Sequence, residues 1–185
     1  MSKGTLFVVT GPSGAGKGTV LGKVLKQIDK VYYSVSATTR ESRPGEIDGV
    51  HYYFVSKDGF QEMIDNKQLL EYAPYAGNYY GTPTQPVDFH LNSGEDVILE
   101  IELQGAMQIK DRRKDAIFIF IAPPSLEELE SRLRGRGTED EEHVIMRLEK
   151  AKLECAAAKE FNHIVVNDVV DAAVEKMIKI ILSYR

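Results

Sequence analysis

The sequence predicts an α/β protein: a parallel β-sheet with helices on both faces, plus a smaller, partly solvated β insertion. Three observations predict it. Four apolar, β-branched runs, Thr5–Thr10, Val97–Ile101, Ile117–Ile121 and His163–Val166, read as buried strands. Helical patterns separate these runs, and strands that alternate with helices form parallel sheets. Residues 32–95 differ from the rest: they hold all but one of the nine tyrosines, mixed with Gly, Pro and polar residues.

The elements follow in order. The first strand is ended by Gly11-Pro12. Lys17 to Ile28 then carries Val20, Leu21, Val24, Leu25 and Ile28 at helical spacing. Thr82, Pro83 and Gln85 read as a helix start with Pro at the first helical position, opening a helix over 83–93. Pro124 precedes Ser125, and Glu128 follows three residues on, a capping box; Thr138 with Glu141 is another. Over 140–160, Val144, Leu148, Ala151, Cys155 and Ala158 mark one buried helix face. A chain of 185 residues suits one domain. We expect a core of 1–31, 96–124 and 150–185, the insertion at 32–95, and an Arg- and Gly-rich segment at 125–149.

Composition excludes several classes. The net charge of −5 makes generic binding to nucleic acid or an anionic membrane unfavourable, because both attract basic surfaces. Phosphates would have to be held by a few locally placed cations. Cys155 is the only cysteine, so no internal disulfide forms and a reducing compartment is expected. His51, His90, His143 and His163 are scattered without metal-ligand spacing. The apolar run Leu6–Val9 is too short for a signal peptide or a membrane span. A cytoplasmic protein with no obligate protein partner is expected.

Residues 11–19 carry the clearest chemistry. Gly11, Pro12, Ser13, Gly14, Ala15, Gly16, Lys17, Gly18 and Thr19 stand between a strand and a helix, and Gly11, Gly16 and Lys17 keep the spacing of a phosphate-binding P-loop. Glycine lets backbone N–H groups turn inward towards phosphate oxygens. The helix N-terminus adds unsatisfied donors and its positive dipole end. Lys17 adds a compact charge for the β- and γ-phosphates. Gly18 stands where Ser or Thr is usual, so Thr19 becomes the candidate hydroxyl for Mg²⁺, with Ser13 the weaker one.

Further segments line up with one family. They are Ser36-Ala-Thr-Thr-Arg40-Glu-Ser-Arg43-Pro-Gly-Glu46, Gly49-Val-His-Tyr52, Glu71-Tyr-Ala, and Gly77-Asn-Tyr-Tyr80-Gly-Thr82. After them come Glu100-Ile-Glu102-Leu-Gln104-Gly105, Ile121-Ala-Pro-Pro-Ser125, Arg132-Leu-Arg-Gly-Arg136-Gly-Thr and Val166-Asn167-Asp168. In order and spacing, from the P-loop to the last strand, the chain resembles guanylate kinases. The resemblance implies a P-loop fold, a GMP-binding insertion at about 32–95 and a helical lid at about 125–149. It implies transfer of the γ-phosphoryl group of ATP to GMP, and to dGMP, with Mg²⁺.

The resemblance also implies roles. Arg40, Arg43, Tyr52 and Tyr80 would hold the GMP phosphate, for which Arg forks and phenol donors suit. Taken alone, the two arginines are charges in a solvated loop. Ser36, Glu71, Thr82 and Glu102 would read the guanine. Guanine offers two adjacent donors on its pairing edge and a carboxylate accepts both, whereas adenine puts an acceptor there. Sites of this kind discriminate by about 10⁴-fold or more. Thr82 could equally cap helix 83–93.

Glu100 and Glu102 stand two apart at the end of a strand, so they are expected on one face at the C-terminal edge of the sheet. Many family members have Asp at one or both positions. Glu100 would reach Mg²⁺ through water. Arg132, Arg136 and Arg147 match the lid and catalytic arginines, and Arg134 has no assigned role. Asn167 and Asp168 would lie near the adenine and also suit a turn. Two rival readings exist. A kinase for AMP, CMP or dTMP would not want the donor-reading acids. A non-catalytic guanylate-kinase-like scaffold domain would typically have an eroded P-loop, and this one is intact.

Overall fold

The structure is a computed structural model, and residues 3–135 and 141–185 are described. The chain divides into two compact units. One comprises Lys30–Ala116 with the N-terminal stretch through Leu6; the other comprises Phe7–Asp29 and Ile117–Arg185.

The second unit is built on parallel strands. Strand β1 (Leu6–Thr10) pairs in parallel with β8 (Ile117–Ala122), and β8 pairs in parallel with β9 (His163–Val166). All five residues of β1 are buried, as a strand covered on both faces requires. Helix α1 (Lys17–Val24) packs against α7 (Val170–Leu182), which buries Ala173, Val174, Met177, Ile180 and Ile181. Their spacing of three and four gives α7 one apolar stripe.

Helices α5 (Leu126–Arg134) and α6 (Glu141–Ala156) share a small core of Leu129, Leu133, Val144 and Ala151. Ser125 caps α5 as expected, its hydroxyl accepting from the Glu128 N–H at 3.1 Å. The Glu128 carboxylate turns instead to Arg132. The expected helix over 140–160 gives way after Ala156 to a 3₁₀ turn at Ala157–Glu160. The expected Thr138 cap lies outside the described residues.

The first unit holds the parallel pair β2 (Val31–Tyr33) and β7 (Asp96–Glu100). Strand β2 has only three residues and no apolar run, so the sequence carries no strand signal for it. The unit also holds a mixed sheet in the order β4-β3-β6-β5: β3 (Ala37–Thr38), β4 (Tyr53–Phe54), β5 (Leu69–Tyr75) and β6 (Asn78–Pro83). Strands β3 and β4 run parallel, and the other pairs are antiparallel. Helix α2 (Lys57–Asp65) sends Phe60 into one face of this sheet, against Ala37 and Leu69. Helices α3 (Thr84–Asn92) and α4 (Leu103–Arg112) complete the unit.

Two expectations are corrected here. Thr82 does not cap α3: the helix begins at Thr84, Pro83 occupies the cap position, and Thr82 lies inside β6. Its hydroxyl is claimed by a cross-strand partner instead. Glu102 does not share a strand with Glu100, because β7 ends at Glu100 and Glu102 is the N-cap of α4. No helix among the described residues is long and apolar enough to cross a membrane.

Candidate functional site

In the second unit, residues 11–16 wrap from β1 into α1. Gly16 has φ 86°, and a Cβ there would stand 2.4 Å from Nδ2 of Asn167. Only glycine satisfies both the left-handed backbone and the close approach. Asn167, at the end of β9, is 2% exposed, and its Nδ2 donates to the Ala15 carbonyl at 2.7 Å. Its Oδ1 is buried and has no hydrogen-bond partner among the described residues. Asn167 therefore braces the loop from beneath, a role its turn-like sequence context did not suggest. Asp168 beside it is exposed.

Lys17 opens α1, and its ammonium donates to the carbonyls of Gly11 at 2.6 Å and Pro12 at 3.3 Å. Arg147, from the middle of α6, donates to the Ser13 hydroxyl at 2.5 Å. Arg132, in the last turn of α5, donates through both terminal nitrogens to the Asn167 carbonyl at 3.2 Å and through Nε to Glu128 at 3.0 Å. Three of the expected cations thus touch the loop or the strand end that braces it. Arg136 lies outside the described residues. Arg134 is engaged by Glu130 and Glu141 on the exposed side of α5.

Gly18 and Thr19 are exposed in the first turn of α1. The Thr19 hydroxyl and the Glu100 carboxylate are hard oxygen donors of the kind Mg²⁺ takes, and Mg²⁺ commonly binds through one or two protein oxygens plus substrate phosphates. Among the described residues, no three His, Cys, Asp or Glu side chains cluster so as to hold a metal ion. Ser13, already engaged by Arg147, is the poorer donor.

In the first unit, a bulge decides the geometry. Leu69 pairs with Pro83, but Glu71 pairs with Thr82, so one residue is extra between them. Leu69 therefore packs with Phe60 on one face, while Glu71 points to the other, towards α4. Thr82 stands directly opposite, and its hydroxyl donates to Oε1 of Glu71 at 2.6 Å. The second oxygen of Glu71 lies over Gly105 of α4, where a Cβ would come within 2.1 Å of it. Glu71 is 4% exposed and has no cation partner among the described residues. Burial raises its pKa to about 7, against the smaller opposing pull of the Thr82 hydroxyl and N–H. A buried carboxylate held by one hydroxyl and one N–H retains acceptor capacity for further donors.

Tyr80 sits two residues before Thr82 on β6, so it shares that face, opposite Ala73. Its ring meets Tyr52 edge-on at 5.9 Å. Arg40 lies over the Tyr52 and Phe54 rings at 5.4 and 5.8 Å. Its guanidinium is held bidentately by Glu46, at 2.8 and 3.0 Å, with both side chains largely covered. Glu46 also accepts from the Arg43 N–H at 2.7 Å. Arg40, then the Arg43 N–H, hold the Glu46 carboxyl at about 2, and the reciprocal bond raises the Arg40 pKa. The sequence gives Glu46 no role, because a spacing of six from Arg40 in an irregular segment carries no sign of the fork.

The expected GMP-side residues thus fall into two groups. Glu71 meets Thr82, and Arg40 gathers with Tyr52 and Tyr80. Arg43 joins the second group through its backbone N–H, with a smaller contribution from the charge of its exposed side chain, which also lowers the Glu46 pKa. Ser36 is half-buried before β3, where its carbonyl accepts from the Tyr53 N–H at 2.9 Å; no side-chain bond joins it to Glu71. Glu102 is half-buried at the start of α4, where its carbonyl accepts from the Ala106 N–H at 3.0 Å. The charge of Glu100 contributes to raising the Tyr52 phenol, after burial and Tyr80, so it borders the second group.

Comparison with known proteins agrees with this assembly. A family model described as guanylate kinase matches residues 3–184. The guanylate kinase of Desulfitobacterium hafniense (strain Y51) is 52% identical over 182 residues, spanning 98% of this chain and 91% of that one. That of Lactococcus lactis subsp. lactis is 54% identical over 179 residues, spanning 97% and 87%. The crystal structure of guanylate kinase from Anaplasma phagocytophilum superposes with a TM-score of 0.80 at 29% identity, covering 99% of this chain and 87% of that chain. With a P-loop on β1, a buried acid facing Thr82 on the mixed sheet, and these matches along nearly its whole length, the chain belongs to the guanylate kinase family.

Proposed function

We propose that this protein transfers the γ-phosphoryl group of ATP to GMP, and to dGMP, giving ADP and GDP or dGDP. One observation carries the acceptor assignment: Glu71 is a buried carboxylate with no cation partner among the described residues, and beyond its bonds to Thr82 it keeps acceptor capacity, with Oε2 over Gly105. Guanine supplies two adjacent N–H donors on its pairing edge and would satisfy it. Adenine would set an acceptor lone pair against it, and leaving a buried acceptor unpaired is costly.

Thr82 holds Glu71 in place, and Ser36 and Glu102 add contacts to the base. Arg40, Arg43, Tyr52 and Tyr80 take the acceptor phosphate, the arginines as forks and the phenols as single donors. Residues 11–19 take the phosphates of ATP, and Asn167 and Asp168 lie at its adenine. A GMP phosphate oxygen attacks the γ-phosphorus, and the bond from that phosphorus to the β–γ bridging oxygen breaks, leaving ADP. No side chain need act as nucleophile. Lys17, Arg132, Arg136 and Arg147 stabilise the charge spread over the transferring group. The donor loop, the insertion at 32–95 and a lid at 125–149 are the working parts on this reading, with the lid excluding water from the phosphoryl group. Thr19, directly, and Glu100, through water, are the residues that would hold Mg²⁺, which neutralises phosphate charge when bound with ATP. We place the activity in the cytoplasm, supported by the single, unpaired Cys155.

The test is ADP production from ATP and Mg²⁺ with GMP, dGMP, AMP, CMP, UMP or dTMP in turn. Rapid turnover with GMP, less with dGMP and little with the others is expected. Faster turnover with another monophosphate would overturn the guanine-reading roles of Glu71 and Thr82.

A further inference from the structure

Strands β2 and β7 bring together two side chains of which only one has a role so far. Tyr33 pairs with Ile98 across the two strands. In a parallel pair, Tyr33 and Ile98 share a face, and Glu100, two residues beyond Ile98, shares it too. Tyr33 is therefore the diagonal neighbour of Glu100, within reach of a long side chain. Its phenol spans the gap and donates to Oε2 of Glu100 at 2.6 Å. The next residue anchors the backbone, because the Ser34 N–H donates to the Ile98 carbonyl at 3.0 Å.

We propose that Tyr33 is a positioning residue that holds the Glu100 carboxylate in its working orientation. The proposal rests on the reading of Glu100 as the acid that meets Mg²⁺ through water. Glu100 is the last residue of its strand, and a glutamate side chain left to itself samples many rotamers. A phenol has a single O–H to give, so it occupies one carboxylate oxygen and leaves the other, Oε1, as an acceptor for a metal-bound water. Tyrosine suits this work because its rigid ring costs little entropy to order. The contact is solvent-exposed, and Tyr33 is 38% exposed, so it contributes little to folding. What it supplies is orientation.

The experiment is a double-mutant cycle of Tyr33→Phe and Glu100→Gln in the full chain. Two quantities are read: the Mg²⁺ concentration at half-maximal velocity with both nucleotides saturating, and the Mn²⁺ affinity, by electron paramagnetic resonance, of the complex with GMP and a non-hydrolysable ATP analogue. Calorimetry gives GMP affinity without metal, and a thermal melt checks the fold. Tyr33→Phe should raise both metal constants about tenfold, the size expected for one hydrogen bond to a charged group. It should leave metal-free GMP affinity within about twofold and the melting temperature within about 2 °C. Added to Glu100→Gln, it should weaken metal binding no further. Additive losses, or a silent Tyr33→Phe beside an impaired Glu100→Gln, would overturn the proposal and leave the Glu100 reading standing. A silent Glu100→Gln would overturn that reading, and the proposal with it.

Discussion

The Lys17 ammonium rests on the Gly11 and Pro12 carbonyls at the mouth of the loop, already gathered where the phosphates of a nucleotide would enter. Removing one preorganised charge at a reacting phosphate costs orders of magnitude in rate. Lys17→Ala should therefore lower kcat about 10³-fold in the steady-state assay with an unchanged melting temperature. Near-normal kcat would remove Lys17 from the mechanism. Glu71 makes a different prediction, because it distinguishes substrates. Glu71→Gln keeps the volume but puts an amide N–H₂, a donor, where the guanine donors need an acceptor. kcat/KM for GMP should fall about 10²-fold or more, while KM for ATP stays within about twofold. An equal loss for both nucleotides would argue against guanine reading. The sequence singles out both residues, Lys17 by the loop spacing and Glu71 only through the family resemblance.

At the scale of elements, local signals held where nothing distant competed. Ser125 caps α5 because its hydroxyl reaches an N–H three residues away, a contact needing no other element. Thr82 carried a similar signal and became a strand residue, because pairing with β5 sets it opposite Glu71. The bulge that arranges this is a property of two strands, and no periodicity within either one announces it. The loop gives a testable case. At Gly16→Ala the new Cβ meets a left-handed φ of 86° and Nδ2 of Asn167 at 2.4 Å. The Asn167 bond to the Ala15 carbonyl must then break or the loop must shift. We expect a loss of about 1–3 kcal/mol in urea unfolding and markedly weaker ATP binding, with GMP affinity retained.

For the molecule as a whole, Glu71 links substrate, protons and stability. Its pKa is raised from 4.5 to about 7, so the folded protein holds a proton that the unfolded chain gives up between those values. The contribution is fully present below pH 4.5 and is lost as pH rises through 7. Without ligand, the urea stability of the wild type should therefore fall relative to Glu71→Gln from pH 5 to pH 7.5. GMP, by donating to the ionised carboxylate, should expel that proton. Titrations of GMP at pH 6.5 in buffers of different ionisation enthalpy should show proton release from the wild type and much less from Glu71→Gln. Glu46 has the opposite sign: held at about 2, it adds stability above its ordinary value of 4.5, lost as pH falls towards 2.

The sequence by itself determined the class of fold, the strands read at Thr5–Thr10, Ile117–Ile121 and His163–Val166, each within a residue of those the structure forms, and the phosphate loop. Each is written in neighbouring residues: apolar runs, helical spacing, and glycines with a lysine at a fixed offset. Only the tertiary structure decided that Asn167, just past β9, braces a loop 152 residues before it, that Glu46 forks Arg40, and that Tyr33 holds Glu100. It also removed Glu102 from its expected strand and Thr82 from its expected cap. The reason is physical. Which face a side chain takes depends on strand register and on where an element stops, and both are settled by partners distant in sequence.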